Sequence, residues 1–382
     1  MVKKSKKEVS IIPLKPTLPD KQTRAYELLT LVAILGEFPT DLLPRLSGGA
    51  SYKETIVTTL KQQGLIKTHY ADGLRGLRPT TTAKKLLLAD NPDRFAFYMD
   101  ENSDTNHVRS EPHRRERLHR TAEAIVTMQN AGAAIFRDER PAIFTPTWEG
   151  GVIVQAPAFY SSREVKDVGF MFDTAANTRI TGVLLAEHDV FIAYNMGKSL
   201  IRRWSYKTEM RAKTVLEYEL AMRRLHTQYT SESIKGLVLA NSMDLAAEIL
   251  RNSKEQYFLL NDNYENFYFV TNDMRGEMLI RLLCNPDICR EIDEILTYDM
   301  LPADNGSLIK NDAITADGKP VLLAYKCDLR RIRNFDTGLA TQKKQGIIYC
   351  FDYQAEVLRW CCSGAIEFKT LDYKKIEGRF FS

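Results

Sequence analysis

Between residues 21 and 35 apolar side chains fall at 25, 28, 29, 31, 32, 34 and 35, a density that predicts a largely buried helix. Thr40 precedes a short second helix over 41–46, and Ser47-Gly48-Gly49 forms a turn. The stretch 51–63, SYKETIVTTLKQQ, then places Ile56, Val57 and Leu60 on one side of a 3.6-residue period. Ser51 with Glu54 three positions on has the spacing of a capping box, and Gly64 is a C′-type stop. Residues 65–70 alternate as a strand, Ala71-Asp72-Gly73 is a turn signal, and 74–78 returns as a second strand. A further short helix covers 80–89 and is broken at Asn91-Pro92.

After a polar stretch over 93–109, a helix is expected over 111–130, Arg- and His-rich in its first half and apolar in its second. Beyond about residue 142 the period changes. Strands are predicted at 152–156, 180–185, 190–194, 236–240, 266–270, 320–326, 347–351 and 365–369. Helices are predicted between them at 206–228, 242–252, 273–284, 286–296 and 353–362. The expected fold class is therefore α/β overall: an N-terminal winged helix-turn-helix followed by an α/β domain with a mixed sheet. The divisions are a basic arm (1–19), the winged helix (20–92), a linker and connecting helix (93–140) and the α/β domain (141–382). No internal sequence repeat is visible.

Composition changes this picture in one respect. The net charge of +4 is uneven: residues 1–90 carry 15 Lys and Arg against 8 Asp and Glu, leaving 38 against 41 for the rest. Positive charge thus accompanies the helix–hairpin region, where binding to a phosphate backbone would need it. Around the helix 51–63, Ser51, Thr55, Thr58 and Gln62 offer groups able to hydrogen-bond base edges, flanked by Lys53 and Lys61. Lys67, His69, Arg75 and Arg78 decorate the hairpin. Double-stranded DNA is the partner this predicts, read by a homodimer, since one such helix reads few base pairs.

No apolar run approaches the roughly 20 residues of a membrane span, and MVKKSKKEVS lacks an apolar signal core; a cytoplasmic protein without membrane association is expected. The cysteines at 284, 289, 327, 350, 361 and 362 show no metal-ligand spacing, so buried free thiols and no metal are expected.

Three segments resemble the replication-relaxation family of Gram-positive plasmids and integrative elements: YELLTLVAILG in the first helix, LKQQGLI at the end of the third, and RPTTTAKKLLL closing the wing. The resemblance covers about the first quarter of the chain. It implies a mobile-element setting and an accessory or regulatory role in replication, conjugation or transcription, with replication or conjugation proteins as partners. It also implies a His-bearing helix where 111–130 lies.

Other chemistry is weakly represented. Gly197-Lys198-Ser199 lacks the glycine five residues earlier that a phosphate loop needs, and neither GxGxxG nor GxSxG occurs. The six histidines never form the His-x-His pair of a metal-dependent relaxase. A PD-(D/E)xK-type nuclease would need Mg²⁺ held by paired carboxylates beside a lysine. Glu164 with Lys166, and Asp312 with Lys326, are the candidates; otherwise no cofactor is expected. Arg202, Arg203, Trp204, Lys207 and Arg211 interleave cations with an aromatic, a pattern suited to a second nucleic-acid surface, and the run 328–333 (DLRRIR) is another basic candidate. A protein-interaction adaptor is the remaining alternative.

Overall fold

The computed structural model describes residues 16–101, 103–145, 150, 153–166, 177–303, 308–363 and 365–381. Most of the basic arm, and Val152 of the strand expected at 152–156, lie outside them. The chain is mixed α/β and divides into two units, Met1–Ala122 and Glu123–Ser382.

In the first unit, helix α1 (Arg24–Leu35) begins where the Thr23 hydroxyl accepts from the Tyr26 amide, and its residues from Leu28 to Leu35 are buried. Its apolar residues leave no solvent face, so it forms the core on which the rest packs. A two-residue strand β1 (Phe38–Pro39) leads into a 3-10 helix, Thr40–Arg45. Helix α2 (Ala50–Gln62) follows, burying Ile56 and Leu60. Its N-cap is Gly49 with no side-chain cap, so the expected capping box at Ser51 and Glu54 is not formed; Ser51 lies one residue inside the helix. Gly64 takes φ +68°, and the Leu65 amide donates back to the Leu60 carbonyl at 2.9 Å, the closure expected of a glycine stop.

Strands β2 (Ile66–Ala71) and β3 (Leu74–Pro79) pair antiparallel around Asp72-Gly73. Both turn residues have positive φ (54° and 74°), the two-residue turn whose twist matches that of the strands. β1 adds to β3, giving the order β1-β3-β2. Helices α3 (Thr81–Asp90) and α4 (Pro92–Phe95) come next, and α5 (Pro112–Asn130) begins in this unit.

The second unit holds two five-stranded sheets with the same architecture. The first has the order β4 (Ala158–Ser161), β5 (Gly182–Leu185), β6 (Val190–Gly197), β7 (Ile234–Ala240), β8 (Phe267–Thr271). Its β4-β5-β6 meander is antiparallel, and β6, β7 and β8 are parallel. Helices Tyr206–Met222 and Asp244–Arg251 make the crossovers. The second sheet repeats this with β9 (Leu301–Pro302), β10 (Ala313–Ile314), β11 (Pro320–Leu323), β12 (Gly346–Phe351) and β13 (Ile366–Leu371). Antiparallel pairing again precedes parallel pairing, with helices Leu329–Gln342 and Asp352–Cys361 as crossovers. A structural repeat is therefore present although no sequence repeat is. Burial explains why: parallel strands covered on both faces need only apolar residues, which many sequences supply.

The expected strand at 152–156 is absent over residues 153–156, and the chain becomes extended only at Ala158. The basic run at 328–333, offered by the sequence as a nucleic-acid candidate, is the start of helix Leu329–Gln342, capped by Asp328, whose carboxylate accepts from the Arg330 and Arg331 amides. Four of the six thiols are buried as expected, while Cys361 and Cys362 are half-buried. Among the described residues no helix is long and apolar enough to cross a membrane.

At the β8 end, helix Met274–Leu283 approaches so closely that a Cβ on Gly276 would lie 1.8 Å from the Thr271 carbonyl oxygen. That neighbour is backbone and cannot rotate away. Gly276→Ala is expected to cost about 1–3 kcal/mol in urea denaturation of the full chain; an unchanged midpoint would disprove this close packing.

Candidate nucleic-acid interface

Helix α2 carries Ser51, Thr55, Thr58, Lys61 and Gln62 exposed, on the side away from Ile56 and Leu60. Tyr52 and Thr59, which the sequence reading did not single out, are also exposed, on the flank of the helix nearer Ile56. The Thr55 hydroxyl donates to the Ser51 carbonyl at 2.9 Å and keeps its lone pairs outward as acceptors. Lys53 differs from expectation: its Nζ donates to the Pro44 carbonyl at 2.9 Å, tying α2 to the preceding 3-10 helix.

The hairpin's basic residues divide between the two faces of the sheet. Register pairs Lys67 with Arg78, His69 with Gly76, and Tyr70 with Arg75. Arg75 and Tyr70 are exposed on one face; Lys67, opposite Arg78 and two residues from His69, is exposed on the other. Arg78 is turned inward, its Nε donating to Glu37 Oε2 at 2.7 Å. His69 is half-buried, and burial together with the nearby Arg78 and Arg115 cations lowers its pKa below the ordinary value. The lowered pKa weakens the cationic character that His69 would bring to a phosphate, and Arg78, engaged by Glu37, leaves the contact set that the sequence suggested.

What occupies the inner face is a buried ionic cluster. Glu37 has no exposed side-chain surface and neither has Arg115. Arg115 NH2 lies 2.7 Å from Glu37 Oε1, and His119 Nε2 lies 2.8 Å from the same oxygen. Arg115 also donates to the carbonyls of Ala71 (2.7 Å) and Leu74 (3.0 Å), the residues on either side of the turn. Burial alone pushes the Glu37 carboxyl up, but hydrogen bonds from His119, Arg115 and Arg78 outweigh it and hold the group well below the usual carboxylate range. The Arg- and His-rich half of α5 thus braces the hairpin: Arg115 and His119, four residues apart, share one helix face. A Cβ at Gly76 would meet Glu37 Oε1 at 2.4 Å, so the bare backbone there makes room for the cluster.

The chain matches no family model, and no curated protein or solved structure matches it. The residues themselves therefore carry the functional argument.

The candidate nuclease residues are engaged elsewhere. Glu164 is buried, paired with Arg140 and lying 3.6 Å from Arg137, and it accepts from the Ser161 amide and hydroxyl at 2.9 Å each. Lys166, at the end of the short helix Ser162–Lys166, is half-buried. Asp312 accepts from Arg331 at 2.6 Å and from the Leu323 amide at 2.7 Å, while Lys326 lies 3.5 Å from Asp293. Both carboxylates are thus neutralised by arginine and bonded to backbone amides, an environment that competes with Mg²⁺. Among the described residues no three His, Cys, Asp or Glu side chains converge as a metal site. These residues do not fit a magnesium centre.

The run at 328–333 is likewise internal. Arg330 bonds the Tyr264 carbonyl and Asp262, Arg331 bonds Asp312, and Arg333 bonds the Leu260 carbonyl. In the other basic segment Arg202, Arg203, Lys207 and Arg211 are exposed, whereas Trp204 is 7% exposed. Its ring packs edgewise on Tyr194 and Phe258, at 5.2 and 4.5 Å between centroids. Trp204 is a core anchor and not a stacking platform for bases.

Proposed function

We propose that the N-terminal unit is a winged helix-turn-helix that binds double-stranded DNA through α2 and the β2–β3 hairpin. Support comes from the element order, helix–strand–short helix–helix–hairpin, with β1 completing the sheet in the order β1-β3-β2. The observation that carries the reading is the outer face of α2. It presents hydroxyls, an amide and an amine from Ser51, Thr55, Thr58, Lys61 and Gln62, beside a hairpin that exposes Lys67 and Arg75. Such groups suit base edges in a major groove, while the hairpin cations suit the neighbouring phosphates. Homodimerisation would double the sequence read. An accessory or regulatory role for a mobile element, with replication or conjugation proteins as partners, is what the replication-relaxation resemblance would imply, and a cytoplasmic location is proposed from the sequence's lack of an apolar signal core or span.

Fluorescence anisotropy of the full chain with mixed-sequence duplex, titrated with salt, tests this. The wild type is expected to bind with a steep slope of log K against log salt. Lys61→Ala, Lys67→Ala and Arg75→Ala combined are expected to reduce that slope by about 0.9 per lost phosphate contact. Arg78→Ala is expected to lower the unfolding midpoint instead. Failure of the wild type to bind duplex at low salt would sink the reading and favour the protein-interaction alternative.

A further inference from the structure

We propose that residues 198–211 of the second unit form a ledge for single-stranded nucleic acid, with Tyr206 as the base-stacking side chain. It does not rest on the duplex reading of the N-terminal unit.

The sequence between β6 and the helix Tyr206–Met222 places five exposed cations in fourteen residues: Lys198, Arg202, Arg203, Lys207 and Arg211. The acidic residue of this stretch is Glu209, which in sequence breaks up the charge. In the structure it does not. Glu209 is fully buried, accepting from the Thr178 hydroxyl at 2.6 Å and from the Arg179 amide at 2.8 Å. Burial also raises its pKa, so it opposes the surface charge even less. Among the described residues none of the five cations is in an ion pair. The stretch itself therefore presents positive charge without an exposed acid. Of the neighbouring segment, Lys254 and Glu255 cancel, Asp262 is paired with Arg330 beside the Asn263 that reaches the Tyr206 carbonyl, and exposed Glu265 remains as one opposing charge.

The backbone of the turn that carries Arg202 and Arg203 is held in place. Trp204 inserts into the core between Arg203 and Ser205 and fixes the chain on either side. Backbone bonds clamp the same turn: the Arg203 amide donates to Gln256 (2.7 Å) and the Phe258 amide to Ile201 (2.9 Å). Arg203 adopts φ +55°, a left-handed conformation rare for a branchless cationic residue and kept here by those flanking contacts. A turn whose backbone is already fixed loses less freedom on binding than a mobile loop.

The aromatic at this ledge distinguishes single strands from duplex. Tyr206, 43% exposed, starts the helix with Lys207 beside it and Arg211 one turn beyond Lys207. A ring among phosphate-binding cations can stack on an unpaired base, which a duplex keeps inside its own stack. Met210, also exposed, extends the apolar strip beneath.

The test is anisotropy of the full chain with fluorescein-labelled dT20 and, in parallel, a labelled duplex. Combining Arg202→Ala, Arg203→Ala, Lys207→Ala and Arg211→Ala is expected to weaken dT20 binding more than tenfold and lower its salt slope by about 0.7 per lost contact. Tyr206→Ala is expected to lose about tenfold, with Tyr206→Phe close to wild type. All these side chains are exposed, and near-UV circular dichroism establishes that each variant is folded. Affinity for dT20 within twofold of wild type in the quadruple variant would overturn the proposal. So would equal losses in Tyr206→Ala and Tyr206→Phe, or a change of sedimentation mass in Met210→Glu, which would mark the ledge as a protein contact. The Lys61, Lys67 and Arg75 variant separates the two readings: it is expected to lose duplex and keep dT20.

Discussion

Glu37→Gln is expected to destabilise the N-terminal unit by about 3–5 kcal/mol, because it leaves the buried Arg115 guanidinium and its neighbours without their counter-charge. The effect is readable in isolation, since tryptophan occurs only at 148, 204 and 360, all in the second unit. Far-UV circular dichroism should show an early partial transition while tryptophan emission unfolds at the wild-type midpoint. Coincident wild-type midpoints by both probes would show that the cluster contributes nothing. A pH dependence accompanies this. The folded Glu37 carboxyl is held below its ordinary value, so its contribution is fully present above the unfolded pKa of about 4.3 and is lost as pH falls below it. Acidification below about pH 4.3 should therefore loosen the N-terminal unit, and Glu37→Gln should flatten that part of the profile.

Trp204→Ala is the second large effect, expected at about 3–5 kcal/mol for a buried indole replaced by a methyl group. Its ring contacts with Tyr194 and Phe258 form one corner of an aromatic cluster that continues to Tyr264, whose hydroxyl lies 2.7 Å from that of Tyr194. Trp204→Phe should recover most of the loss, because a smaller ring can keep the edgewise contacts. Urea denaturation followed by circular dichroism distinguishes these. A Trp204→Ala midpoint equal to wild type would mean the ring is dispensable, and the turn carrying Arg202 and Arg203 would then need another anchor.

Much of the architecture was legible in the sequence, for reasons that differ by element. The parallel strands β6, β7, β8 and β12 announce themselves as apolar runs bounded by polar residues, and the Asp72-Gly73 turn specifies its hairpin. The helix Leu329–Gln342 carried its own signal: Leu329, Ile332, Phe335 and Leu339 recur at helical spacing and are buried. The arginines interleaved with them drew the reading towards charge instead of period. β4 was missed because four residues, AFYS, buried throughout, show no alternation.

The site was less legible, because side-chain partners lie far away in sequence. Alternation along β3 puts Arg75 and Arg78 on opposite faces, but nothing local says which of the two faces meets Glu37, 41 residues before Arg78. Nothing local separates Lys53 from Lys61 either, since the Pro44 carbonyl that occupies Lys53 depends on how the preceding turn folds. The same holds for Trp204 beside Tyr206 and for Glu209 among its cations: charge and aromaticity are visible in the letters, but inward or outward is decided by tertiary packing.

The repeated sheets have a further consequence at their outer edges. The edge of β8 is closed by the chain of the second half, where the Phe269 amide donates to Cys327 at 2.9 Å and Asp328 bonds the Phe267 amide. β13 occupies the corresponding position in the second sheet, and among the described residues no strand pairs with its outer edge. An open edge of this kind invites head-to-tail growth into a filament. Glu367 and Lys369, two residues apart, are exposed on β13, so an incoming strand packed beside them would have to strip water from both charges. The polymer that the repeat makes geometrically possible is thereby opposed by two charged side chains.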